Sequence, residues 1–483
     1  GQCNVAIGYQ ALLKNTIGTD NVAMGFRTLC ANTTGTNNTA IGTCALYTNT
    51  IGTCNVAIGS GALQTNTISV QNTAIGTCAL YTNTTGIQNT AIGVESMKCN
   101  VSGQQNTAIG GFALCYNTSG IQNTAIGYQS MRLNQSGDQN TALGYQALNK
   151  NTIANRNTAV GTRAMCSNTT GIQNTSIGTY ALCSNTIGEN NTAVGYSAMI
   201  GNTIGAHNTA LGFCALKGNT TGTLNTALGI NSLKVNTIGH SNVSVGANSL
   251  IDNTEGLYNT ASGLESLANN TTGDANSASG YQSLLTNITG SSNTGLGFRA
   301  LKLNTASYNI GLGRDSGDNI TSGTGNVIIG SVDATSATGS RQLKIAGYDG
   351  TNTTTWITGD SSGNVGIGTT SPANNLHIHT DASSEGILIK STGNTYNDII
   401  GDANRSSAGN NLIRFRGNWN GNPVAMIAMS AGDDTTNKDD GRIEFFTSTS
   451  GGSQNKRMVI EPDGKVGIGT GTPSQALDVV GSI

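Results

Sequence analysis

Apolar and polar residues alternate in short runs along this chain, and the same alternation returns every 17 positions. In "NTAIGTCALYTNTTGIQ" (72–88), Thr73 and Ile75 flank Ala74, the period-2 signature of a strand. The Gly closing that strand falls at Gly8, Gly25, Gly42 and onward to Gly297, eighteen times without a substitution. The columns that start at Asn4 and at Asn15 are Asn in all eighteen copies. A short fixed period without insertions predicts one coil of a β-solenoid per repeat, because helical repeats need about 33 residues or more. Gly and β-branched residues at this density also disfavour helix.

The faces of the coil follow from the same columns. Ile7, Met24, Ile41 and Ile58, with Leu12, Leu29, Leu46 and Leu63, are expected to fill the inside. Gly8 and its equivalents supply a corner that other residues resist, and Asn15 with the Gly that follows forms a second corner. Asn in one register can stack as an amide ladder. At about 4.8 Å per coil, eighteen coils span on the order of 85 Å. The stack is expected to be weakest where Ser262 and Ser279 replace the Ile.

Two columns stay small throughout. The column of Ala6, Ala23 and Ala40 is Ala, Ser or Gly in every coil, and that of Ala11, Thr28 and Ala45 is Ala, Ser or Thr. Such uniform smallness is read as the contact between identical parallel chains, with tight packing inside one coil as the alternative. A 17-residue coil buries little by itself, which favours oligomerisation.

Composition narrows the picture. Charged residues are 10% of the chain, and the net charge of −2 gives no reason to expect a nucleic-acid partner. No apolar run reaches the 18 residues of a membrane helix, so no membrane insertion is expected. The chain starts at Gly1 without a signal-peptide pattern and is expected to lack its original N-terminus. Residues 1–306 hold 19 charged residues and the remaining 177 hold 29, which marks a change of organisation. The reading is an eighteen-coil shaft over 1–306, a transition with degenerate repeats over 307–362, and a β-rich tip over 363–483. "RQLKIAG" (341–347), "EGILIK" (385–390), "NLIRFRGNW" (411–419), "PVAMIAM" (423–429), "RIEFFT" (442–447) and "RMVIE" (457–461) are expected strands.

"NTAIG" followed by small residues and a Gly turn resembles the head repeats of trimeric autotransporter adhesins. The longer "NTAIGYQAL…NTTG" form resembles repeats in fibre proteins of bacteriophages and large viruses. "GNVGIGTTSPANNLHI" (363–378) and "GKVGIGTGTPSQALDV" (464–479) look like the VGIGT-x-P motif of phage tail fibres, usually followed by a self-cleaving chaperone, which is not seen before Ile483. The resemblance implies a parallel homotrimeric β-roll fibre. The adhesin coils have about 14 residues, so the virus-type comparison is the closer one.

Candidate sites are few. Ten Cys all precede residue 215 without zinc or disulfide-framework spacing, and are read as free thiols, with a Cys166–Cys183 bond between neighbouring coils as the alternative. His377 and His379 share a strand face, and around a threefold axis six imidazoles would meet as a transition-metal site. Otherwise no cofactor is expected. "DDTTNKDDG" (433–441) reads as an exposed acidic turn, and sequons such as Asn32, Asn83, Asn117 and Asn168 come with the repeat. Tyr9, Tyr47 and Tyr81 are candidate sugar-stacking positions. No nucleophile elbow, phosphate loop or catalytic carboxylate pair is found. The expectation is a non-enzymatic, homotrimeric attachment fibre on a virion or cell surface, with a glycan or protein receptor. The alternatives are a non-viral extracellular filament or matrix protein, and an ice-binding solenoid using the Thr39 and Thr16 columns.

Overall fold

The computed structural model describes residues 1–380, 387–389, 399–400, 403, 410–419, 421–433, 439–450 and 452–481. These residues form strands and turns and no helix. Backbone contacts divide the chain into two units, Gly1–Ser383 and Ser384–Ile483.

The first unit is a β-solenoid. Twenty three-residue strands, β1 (Val5–Ile7) through β20 (Val327–Ile329), stack one per coil. Each pairs in parallel and in register with its equivalent in the next coil, as in Thr39↔Val56, Ala40↔Ala57 and Ile41↔Ile58. The repeat runs past residue 306: β19 (Ile310–Leu312) and β20 add two coils inside the segment expected to be a transition. Between Asn304 and Asn309 the chain is one residue shorter than in earlier coils, yet Thr294 still pairs with Ile310.

The interior differs from the sequence expectation. In coil after coil the Ala of the strand is buried and its two neighbours face outward, as in Thr39–Ile41 and Thr90–Ile92. The Ile column is therefore outside, while the Leu column lies inside and is fully buried from Leu29 to Leu301. Both small columns are also inside, including Ala23, Ala40, Ala45 and Ala62. The Ala column cannot line a contact with another chain; the smallness belongs to the coil's own packing. The reason is thickness. A loop of 17 residues leaves room for one Leu per coil, and an Ile from the facing strand would overfill that space. Ser262 and Ser279 stand in the outward column, so they do not weaken the core. Polarity enters the core at Thr28, Ser96, Ser130, Ser232, Ser249, Ser266 and Ser283, which replace Ala of the second small column and are fully buried.

Two amide ladders complete the interior. Asn38 donates from Nδ2 to Asn21 Oδ1 at 3.1 Å and to the Gly52 carbonyl at 2.8 Å, and its own Oδ1 accepts the Asn55 N–H at 3.0 Å. Asn49 of the second ladder donates to Asn32 Oδ1 at 2.8 Å and to the same Gly52 carbonyl at 3.1 Å. The two ladders thus clasp one carbonyl per coil. A buried amide is stable only with its partners in place, which is why both columns admit no other residue over eighteen coils. Gln342 extends the first ladder beyond the Asn columns, donating from Nε2 to Asn326 Oδ1 at 3.2 Å.

Gly42 sits at φ +126°, and a Cβ there would lie 2.7 Å from the Gly59 carbonyl oxygen of the next coil. The strand-closing Gly is needed for conformation and close approach together. Left-handed backbone also occurs at ordinary residues: Asn37, Cys44 and Leu46 have φ of 57°, 56° and 50°. The left-handed conformation costs about 1–2 kcal/mol per residue. Each of these residues turns its N–H onto a neighbouring coil, to Thr19 O (3.1 Å), Phe26 O (2.9 Å) and Ala62 O (3.0 Å).

After the last coil, β21 (Leu343–Tyr348) pairs in parallel with β20 and antiparallel with β22 (Thr353–Gly359). β22 had no counterpart among the expected strands. Next come β23 (Val365–Ile367), antiparallel to β22, and β24 (Leu376–Ile378), parallel to β23. The first VGIGT segment therefore lies in the first unit. The second unit is a six-stranded sheet in chain order, β25 (Asn411–Trp419), β26 (Asn422–Ala431), β27 (Gly441–Ser448), β28 (Gln454–Ile460), β29 (Val466–Ile468) and β30 (Leu477–Val479). Its last three strands repeat the pairing of β22–β24, so each VGIGT segment is one strand–turn–strand–loop–strand module. Of "EGILIK", residues 385, 386 and 390 lie outside the described residues, and 387–389 are not in a strand.

Candidate interaction surface

The outward face of the coil strands is an apolar stripe. Ile, Leu, Met or Val occupies the position of Ile7 in sixteen of eighteen coils, the other two being Ser262 and Ser279. These side chains are part-exposed or exposed along the stack, with Leu211 at 45% and Leu296 at 54%. On the same face the column of Thr39 is Thr in thirteen coils and Val or Ser in the rest. Two residues beyond each Ile, rings stack between successive coils: Tyr9 on Phe26, Tyr128 on Tyr145, Tyr196 on Phe213 and Tyr281 on Phe298, with centroids 5.2–6.0 Å apart. Of the three sugar-stacking candidates, Tyr9 belongs to this stripe, whereas Tyr47 and Tyr81 are half-buried in a different register.

The named repeat residues take these places. Asn4 and Asn15 are the first members of the two ladders, Asn4 accepting from Asn21 Nδ2 (3.1 Å) and Asn15 from Asn32 Nδ2 (2.8 Å). Gly8 has φ +124°. Leu12 packs against the core, and Ala6, in the first coil, is exposed. The Thr16 column points its hydroxyls into the stack: Thr16, Thr33 and Thr50 donate to the carbonyls of Thr33, Thr50 and Thr67 at 2.8–3.0 Å. The sequon residues Asn32, Asn83, Asn117 and Asn168 are fully buried ladder members, so the folded coil does not offer them for glycosylation.

All ten thiols are unpaired in the structure. Cys166 Sγ lies 3.5 Å from the Cys183 carbonyl oxygen and 3.8 Å from Ser167 Oγ. Hydrogen bonding from the Cys183 thiol holds Cys166 down to about 6, while Cys183 itself is pushed up. Burial raises Cys115 to about 11. At the last coils Arg299 bridges Asp315 (3.5 Å) and Asp318 (3.2 Å). Burial, reinforced by the neighbouring Asp333, raises Asp318 to about 6.

His377 and His379 lie on and just after β24, with ring centroids 6.2 Å apart at 84°. His377 Nδ1 accepts the Ala373 N–H at 3.3 Å. In the second module Asp478 occupies the equivalent position and accepts the Ser474 N–H at 3.0 Å. His377 therefore braces the loop of its own module. Among the described residues no three His, Cys, Asp or Glu side chains cluster as a metal site. In "DDTTNKDDG", Asp433 accepts from Arg442 Nη2 at 2.7 Å and is exposed, while 434–438 lie outside the described residues.

Among the described residues no helix is long and apolar enough to cross a membrane. No protein-family model matches the chain, and no curated protein matches its sequence.

Proposed function

We propose that the solenoid is the shaft of a parallel homotrimeric attachment fibre, of the viral tail-fibre or adhesin kind, and that the second unit carries its receptor-facing surface. One observation supports this above the others: the Ile column faces outward on in-register strands over eighteen coils. Soluble monomers rarely expose a contiguous apolar patch larger than a few hundred Å². A second and third copy laid against the stripe would cover it. The role is structural and adhesive rather than catalytic, at a virion or cell surface; finding the chain on purified virions separates a viral fibre from a cellular filament.

Sedimentation of the intact chain, with an SDS gel of unheated sample, tests the assembly. The expected species is near three times 49.1 kDa and resists SDS. A monomer at micromolar concentration removes the trimer. A specific observation keeps one other reading: the Thr39 column shares the outward face, so an uncovered monomer would present a regular Thr–Ile array to water. Thermal hysteresis in a monomeric sample would then identify an ice-binding solenoid.

A further inference from the structure

β25 ends at Trp419 and β26 begins at Asn422. Trp419 pairs directly with Asn422, and Gly421 has φ +80°. An Asn-Gly pair is the strongest short signal for a two-residue hairpin. The hairpin fixes the Trp419 backbone but not a cover for its ring, which is 79% exposed. The end of β27 is tied to the start of β26 by Ser448 Oγ donating to the Pro423 carbonyl at 2.9 Å. Here opens a cleft of about 710 Å³ lined by Trp419, Asn422, Pro423, Ser448, Ser453 and Gln454, among others. That volume lies within the range of about 300–1,000 Å³ typical of small-molecule sites.

Three features of the cleft specify its chemistry. Its largest apolar element is a flat indole, which offers a face for stacking and an N–H at its edge. Its other walls are amides, hydroxyls, Pro423 and Val424, and none of the described lining residues is charged. The Nε2 of Gln454 is buried with no hydrogen-bond partner among the described residues. Leaving a buried donor unmade costs about 1–3 kcal/mol, so a turn of the Gln454 amide toward a ligand acceptor would recover it. A ligand matching all three has one apolar face, a rim of hydroxyls and no charge.

We propose that this cleft binds a neutral pyranose, with the C–H face of the ring on Trp419 and its hydroxyls toward Asn422, Ser453 and Gln454. An acidic sugar finds no counter-charge there. The inference deepens the attachment reading and rests on it only for biological purpose, not for chemistry. Single-sugar binding in an open cleft is weak, and three copies on one fibre would raise it by avidity.

The test uses the full chain with Trp356→Phe, which leaves Trp419 as the sole indole. Its fluorescence is titrated with neutral galactose-, glucose-, mannose- and N-acetylhexosamine-terminated oligosaccharides and with sialylated counterparts, and the same set is printed as an array. A saturable change in Trp419 emission with at least one neutral glycan is expected. Array binding of the otherwise wild-type chain should fall at least tenfold in Trp419→Ala and be largely retained in Trp419→Tyr. No response to any neutral glycan, a preference for the sialylated set, or full binding by Trp419→Ala would overturn the site. Acrylamide-inaccessible Trp419 in the sugar-free protein would overturn it too, because another surface then covers the ring. Sedimentation of the same samples reports the trimer independently, so a trimer without a Trp419 response removes the site alone.

Discussion

The ladder Asn residues show how much one side chain is asked to do in a coil this thin. A ladder Asn such as Asn38 donates to the Asn below and to a backbone carbonyl while accepting from the coil above, and no other side chain of that length offers both an acceptor and two donors. That requirement was legible in the sequence as two columns without exceptions. Which residue faces inward was not legible. Alternation in T-A-I separates two faces, and the rule that the larger apolar residue is buried then selects Ile. The structure selects Ala, because Leu arrives from the opposite side of the coil and fills the space. The left-handed Leu, Cys and Asn positions left no signal either, since their strain is offset by hydrogen bonds to other coils rather than by a residue type. Cysteine chemistry is set at the same scale. Because hydrogen bonding from Cys183 holds Cys166 below the ordinary thiol range, a larger share of it is thiolate at pH 7 than of an ordinary thiol. Iodoacetamide at pH 7 followed by peptide mass mapping should label Cys166 well ahead of Cys115, whose thiol is raised to about 11. Replacing Cys183 by Ala should move the Cys166 labelling midpoint upward toward that of an ordinary thiol.

The coil is the unit at which the stack succeeds or ends. "NIGLG" and "NVIIG" echo the repeat strongly enough to be read as relatives of it, but the missing residue between Asn304 and Asn309 hid the fact that they are full coils. The shortening is felt in the second ladder. Asn304 turns to the Ala306 carbonyl, and Asn287 Oδ1 is left buried without a partner. β22 escaped notice because "TTTWITG" carries strand-forming residues without the repeat's punctuation. The two added coils also bring Asp315, Asp318 and Arg299 together and set Asp333 against Asp318. Asp318 is raised above its unfolded value of 3.8. The folded state therefore binds its proton more tightly, and ionising it in place is unfavourable. This contribution favours folding fully below about pH 4 and fades as pH rises through about 6. Amide hydrogen exchange should show coils 19 and 20 opening more readily at pH 7 than at pH 4.5, after correction for intrinsic rates. In Asp318→Asn that difference should shrink for these coils and stay unchanged for coils near Leu148.

Across the chain, order is almost entirely local in kind: each coil meets its neighbours through parallel pairs, two amides and a Leu–Ala core, and coils 2 to 17 do so in nearly identical terms. This made the solenoid readable from period alone, whereas the second unit offered only scattered strand-like runs. A cleft with one bare indole has no period to announce it. Repeat stacks of this kind gain stability approximately as a sum of units and neighbour contacts. Removing residues 107–123, one whole period, should therefore leave a folded protein whose thermal midpoint differs little from that of the full chain, by circular dichroism. Removing 107–115, half a period, should leave a protein that does not fold cooperatively.

The in-register pairing has a consequence at the level of the gene. Since the joints among coils 2 to 17 are nearly interchangeable, a crossover between two misaligned copies of the repeat there yields a chain that is shorter or longer by whole coils and otherwise intact. Reach becomes a whole-number quantity, about 4.8 Å for each 51 base pairs gained or lost, adjustable in a single recombination event without a point mutation.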